Sequence, residues 1–106
     1  MATALLTPEP VTAQRFARLA AQWKTGRGPV SSLSEMVMHP AYQQIIGMGQ
    51  SAIPFLLREL AQSPDHWFWA LKAISGIDPV PPEHRGDLAL MSDDWLRWGR
   101  EQGYAW

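Results

Sequence analysis

The chain has 106 residues, a formal charge of −1 and no cysteine. That length implies one domain able to bury a core unaided. The missing thiols exclude disulfides, cysteine nucleophiles and cysteine-ligated zinc, and suit a reducing cytoplasm.

The first ten residues, MATALLTPEP, lack the basic region and apolar run of a signal peptide. They read as a flexible N-terminus on a single helical domain spanning 1–106. No stretch reaches membrane-span length, so the expectation is a soluble, cytoplasmic protein without membrane association. Charge is uneven. Residues 1–30 hold Arg15, Arg18, Lys24 and Arg27 against Glu9 alone, and the remaining acidic residues lie downstream.

The spacing of Phe16, Leu19, Ala20 and Trp23 predicts a helix over Thr12 to Lys24, preceded by prolines and stopped by Gly26 and Gly28. Lys24 to Ser34 reads as a loop. Glu35 to Met38 fits a short helix or an extended piece, with nearby serines as possible caps. Pro40 disfavours helix at His39 and suits the first turn of a following helix. Met38, Tyr42, Ile45 and Ile46 are expected to face inward there. The next helix is expected from Ser51, as N-cap, to Gln62, with Pro54 harmless in its first turn and Ile53, Leu56, Leu57 and Leu60 buried.

Ser63-Pro64-Asp65 reads as the end of that helix and the cap of another, Pro64 to Ser75, with Asp65 favoured by the helix dipole. This fourth helix is apolar on most sides, with Trp67, Ala70, Leu71 and Ile74 on one stripe and Trp69 and Ala73 on a second. Such a helix is central to a domain or covered by a partner. Ile77 to Gly86 is Pro-rich and reads as a stiff, extended link. The last helix is expected over Asp87 to Glu101, with Leu88, Met91, Trp95 and Trp98 on one face and Asp93 paired to Arg97. No segment has strand alternation bounded by turns. The fold class is therefore all-α, a compact bundle of four to five helices.

Ile46 to Gly76 resembles a single HEAT-type helical repeat, on the Gly49 turn, Ala52-Ile53-Pro54, Phe55-Leu56-Leu57 with Leu60, and Ala70-Leu71 with Ile74. The arginine usual early in the second helix of such repeats is replaced here by the neighbourhood Trp67-Phe68-Trp69. The resemblance implies a packing hairpin rather than a solenoid, which needs several stacked repeats. More broadly, HPAYQQIIGMG, PDHWFWALKAISG, DPVPP and WLRWG within Met36 to Tyr104 are similar to a family of small bacterial proteins of uncharacterised function. That likeness implies a bacterial or phage setting and no activity.

The chemistry-bearing residues do not assemble into a motif. His39, His66 and His84 lack the spacing that puts two ligands on one helix face, and there is no HExxH. Asp93 and Asp94 are adjacent in a helix and point about 100° apart, so they read as a solvated acidic face. GMGQS lacks the lysine of a phosphate loop. The expectation is a protein that is not an enzyme and needs no cofactor and no metal.

Six tryptophans leave a choice between core and interface. Trp67 and Trp69 lie about 200° apart around a helix, so one core face cannot bury both. Trp67, Phe68, Trp69, Trp95, Trp98 and Trp106 are the candidate contacts for a protein partner. The expected function is a non-catalytic protein-binding module, such as an adaptor, antitoxin or phage-type inhibitor. The alternative is a small helical nucleic-acid binder using Arg15, Arg18, Lys24 and Arg27, and a third possibility is a self-associating structural protein, a homo-oligomer.

Overall fold

The computed structural model describes residues 9–28 and 32–106. Among these residues there are six α-helices and no strand: α1 Glu9–Gly26, α2 Leu33–Met38, α3 Pro40–Gly47, α4 Ile53–Gln62, α5 Phe68–Ser75 and α6 Leu88–Glu101. The chain is all-α. The flexible N-terminus expected over residues 1–10 falls mostly outside the described residues, while Glu9 and Pro10 open α1.

Helix α1 exceeds the expected Thr12–Lys24 at both ends. Its first-turn Pro10 gives up an N–H that no helical carbonyl would have taken. Phe16, Leu19, Ala20 and Trp23 are buried, as their spacing requires. Helix α2 begins where Ser32 and Glu35 form a reciprocal capping box: the Glu35 amide donates to Ser32 Oγ and the Ser32 amide to Glu35 Oε1. It stops at His39, whose extended ψ of 136° is what the following proline demands. His39 Nδ1 then accepts the Ala41 amide and caps α3.

Three local expectations are corrected. Met38 does not face inward; it is 68% exposed, because α2 ends before α3 turns its own apolar face to the core. Ser51 is not an N-cap. It sits in a 3-10 turn over Gly49–Ala52 and donates its hydroxyl to the Met48 carbonyl, so α4 begins at Ile53. The Pro-rich link is not uniformly extended either, since Pro82–His84 makes a 3-10 turn and Val80 is buried.

The fourth expected helix, Pro64 to Ser75, starts late, at Phe68. Tyr42 of α3 supplies the reason. Its hydroxyl accepts from the Ala70 amide (3.0 Å) and donates to the His66 carbonyl (2.9 Å). Those two backbone groups would bond each other directly if the helix ran one turn further back. The phenol is inserted between them and acts as a cap supplied by another helix. Burial pushes the Tyr42 phenol well above its ordinary range, which keeps it protonated to donate to His66. Asp65 therefore lies outside the helix it was expected to cap. At the other end, Gly76 takes φ 79°, the left-handed conformation that closes α5 without a Cβ penalty.

Helix α1 packs on α3, α3 on α5, and α4 on α6. Helices α4 and α5 are consecutive, but each has its main neighbour elsewhere, α6 for α4 and α3 for α5. Between α1, α3 and the start of α5 lies a knot of rings. Trp23 and Trp67 centroids are 4.3 Å apart, and Tyr42 stacks on Trp67 at 5.7 Å with planes 10° apart. Phe16 bridges from Trp67 to Phe55 of α4. A second set, Trp95, Trp98 and Tyr104, closes the α6 end. There Gly99 allows α6 to approach α4 closely: a Cβ at that position would lie 2.5 Å from Leu57 Cδ1 and 3.0 Å from Trp106 Cζ3.

Candidate functional site

The outer side of α5 forms one wall of a groove of about 520 Å³. Phe68, Trp69 and Lys72 come from that helix, and Leu33 from the first position of α2. Opposite stand Leu88 and Met91 of α6, with Trp95 of the same helix also lining the site. His66 and, from the Pro-rich link, Asp78, Arg85 and Gly86 complete the lining. The size and the mixture of apolar walls with a few polar groups are those of binding sites generally. Helical periodicity explains the geometry: Phe68, Trp69 and Lys72 fall within one turn of each other, while Ala70 and Leu71 point to the core.

Trp69 is 53% exposed, whereas Trp23, Trp67 and Trp95 are fully buried. Leu33, at 55%, is another large apolar side chain left open on the same groove. Phe68, Leu88 and Met91 are half-buried.

The edge of the groove is charged. Asp78 Oδ2 lies 3.0 Å from Arg85 Nη2 and 3.8 Å from Lys72 Nζ. Burial favours the neutral acid at Asp78, but the Val80 amide, Arg85 and Lys72 together outweigh it and hold the carboxyl below its ordinary range.

The six aromatic residues proposed from sequence separate sharply. Trp67, Trp95 and Trp98 are core residues and cannot offer a free surface. Trp67 fills the space between α1 and α3, while Trp95 and Trp98 pack edge-to-face with ring centroids 5.2 Å apart. The ring N–H groups of Trp67 and Trp98 are buried without a protein acceptor, so both rings are held by packing. Trp106 is half-buried against Gly99 in the C-terminal tail. Only Phe68 and Trp69 reach the groove from its rim, with Trp95 beneath.

The basic set proposed for nucleic acid also divides. Arg15 and Arg18 are exposed on α1. Lys24 is bound to Glu59 of α4 at 2.7 Å. Arg27 makes a two-pronged ion pair with Asp65, at 2.9 and 2.8 Å, while its guanidinium lies 4.2 Å from the centre of the Trp23 ring. Two of the four cations thus fasten α1 to the rest of the fold.

Asp93 and Asp94 were expected to share a solvated face. Asp93 is exposed, but Asp94 is 1% exposed, with His84 Nδ1 at 2.7 Å and Arg97 Nη2 at 3.2 Å. The expected Asp93–Arg97 pair is replaced by this one. A carboxylate at such depth needs compensation, and His84 brings it from the Pro-rich link, thereby tying that link to α6. The signal was present in the spacing. Asp94 stands three residues after Met91 and four before Trp98, on the flank of the buried stripe. Among the described residues, no three His, Cys, Asp or Glu side chains gather into a metal-binding group, and no helix is long and apolar enough to cross a membrane.

Comparison of the chain with protein-family models, with curated proteins and with solved structures gives no match in any of the three.

Proposed function

We propose that this chain is a non-catalytic protein-binding module whose working surface is the groove between α5 and α6, and that it acts in a bacterial or phage-infected cytoplasm by modulating the protein it holds. The carrying observation is the half-exposed Trp69 on the wall of an apolar groove, in a molecule that buries Trp23, Trp67 and Trp95 completely. Covering the exposed half of a tryptophan contributes roughly 2–3 kcal/mol at ordinary transfer values. That is hot-spot scale for an interface. The polar clusters elsewhere have internal tasks: Asp94 with His84 and Arg97 ties the Pro-rich link to α6, and Arg27 with Asp65 ties α1 to the α5 side.

The test is affinity capture from the native host with the wild-type chain and with Trp69→Ala, read by mass spectrometry. A single protein retained in stoichiometric amount by the wild type and released by the variant supports the reading. Identical retention by both sinks it. Light scattering on the purified chain separates self-association, since a dimer that dissociates on Trp69→Ala would identify a second copy as the partner.

A further inference from the structure

We infer that the segment occupying the groove is an amphipathic stretch of protein that carries a carboxylate beside its apolar anchors. The inference rests on the groove being a protein-docking surface and adds the chemistry of what docks. Two cations, Lys72 and Arg85, converge on a single carboxylate oxygen, Asp78 Oδ2, at the groove edge. Asp78 is the only carboxylate among the described residues that line the groove. Counted over those lining side chains, one positive charge is in formal surplus.

Both cations are open to a partner, with side chains 53% and 55% exposed. Lys72, at 3.8 Å, makes an ion pair without a hydrogen bond to Asp78, so its donors can take a second acceptor. A basic segment would face like charge at this edge; an acidic one would meet its complement. The walls set the rest. Leu33, Trp69, Leu88 and Met91 ask for aliphatic or aromatic anchors, and a methionine adapts its shape to them. A nucleic-acid strand fits less well, because its affinity comes from neutralising many phosphates, and this edge offers a surplus of one charge.

Asp78 acts as an internal competitor for the incoming carboxylate, which gives the inference a signed test. A random dodecapeptide display library is panned on the full chain and, in parallel, on Trp69→Ala. The best Trp69-dependent peptide is synthesised and titrated calorimetrically. Enriched sequences are expected to combine apolar anchors with Asp or Glu. Changing that acid to Gln should weaken binding about fivefold, the scale of a good surface ion pair. The penalty should vanish in Lys72→Gln/Arg85→Gln and grow in Asp78→Asn, which keeps an oxygen for the Val80 amide. Circular dichroism checks that each variant is folded.

Neutral or basic enriched sequences, or an acid-to-Gln penalty that persists in Lys72→Gln/Arg85→Gln, would overturn the carboxylate inference and leave the protein-docking reading standing. No Trp69-dependent peptide at all would overturn that reading itself. Trp69-dependent binding of a single-stranded oligo-dT 12-mer or of dodecanoate, with no peptide enriched, would assign the groove to a different class of ligand.

Discussion

The aromatic knot beneath α1 and the groove beside α5 use similar side chains for opposite ends. In the knot, Phe16, Trp23, Tyr42, Phe55 and Trp67 come from three helices and one helix start, and every ring is covered by the others. In the groove, Leu33, Phe68, Trp69, Leu88 and Met91 come from α2, α5 and α6, and nothing among the described residues closes over them. Trp67 and Trp69 are two positions apart, yet the first is fully buried and the second 53% exposed. What decides a ring's fate is which neighbouring element stands opposite it. Helix α3 stands opposite the inner side of α5, and the outer side faces the rims of α2 and α6 and the Pro-rich link across an open groove.

The comparison breaks most visibly at Trp67. Truncation to alanine should cost about 3–5 kcal/mol, because the ring leaves a cavity amid three aromatic neighbours, Phe16, Trp23 and Tyr42, that cannot all collapse. Denaturant unfolding checks it. A loss below about 1 kcal/mol would mean that the knot repacks freely and that α1 is not anchored through it. If the variant fails to fold, Trp67→Phe should still be measurably destabilised, since it also leaves a void.

Tyr42 sharpens the same boundary. Tyr42→Phe keeps the stacking on Trp67 but removes the hydroxyl wedged between the Ala70 amide and the His66 carbonyl. A buried amide left without a partner costs about 1–3 kcal/mol. The alternative is informative too. If α5 extends back to bond Ala70 to His66, the cost falls and the Ala70 amide stays protected in hydrogen exchange. Exchange protection at Ala70 therefore separates a capped helix from one merely interrupted.

Much of the fold was legible because helix periodicity and punctuation are local. The buried stripes of α1 and α4, the proline-opened α3 and the all-α class follow from spacing alone. The start of α5 was not legible, since the group that caps it, the Tyr42 hydroxyl, lies 28 residues from Ala70 in sequence. The burial of Asp94 was legible in its spacing from Met91 and Trp98, but its partner was not, because His84 arrives on a separate segment. The groove was half legible. The second stripe of α5 announced that Trp69 needed a cover or a partner, but Leu33, Leu88 and Met91 join it only through tertiary packing, and spacing alone puts Leu88 and Met91 on one face of α6 with the buried Trp95 and Trp98.

Asp65 tests how firmly the knot is strapped from outside. Burial favours its neutral form, but Arg27 and the His66 amide outweigh that and hold the carboxyl below its ordinary 3.8. A carboxyl lowered by folding contributes stability that is complete above the unfolded value and lost as pH falls through the folded one. Asp65→Asn should therefore cost about 1–2 kcal/mol at neutral pH, a charge-assisted pair being the thing removed. The difference from wild type should shrink as pH drops below about 4. A gap independent of pH would show that Arg27 is held by Trp23 instead.

The smallest expected effect lies at Trp69, and its smallness carries the comparison. The fold covers less than half of this ring, and alanine's higher helix propensity offsets part of that loss, so Trp69→Ala should lower stability by no more than about 1 kcal/mol. The tryptophan fluorescence should change more than the stability does. Trp69 is the most water-exposed of the five tryptophans packed in or beside the helices, so its removal should shift the emission to the blue and lower the fraction quenched by acrylamide. A substantial unfolding penalty would place Trp69 energetically with Trp67, and the groove would then be part of the core's edge rather than a surface kept open for a partner. Loss of a bound protein with stability intact would instead locate the purpose of the exposed ring outside the fold. Because the two tryptophans share one helix and one chemistry, that pair of substitutions separates what holds the molecule together from what it presents.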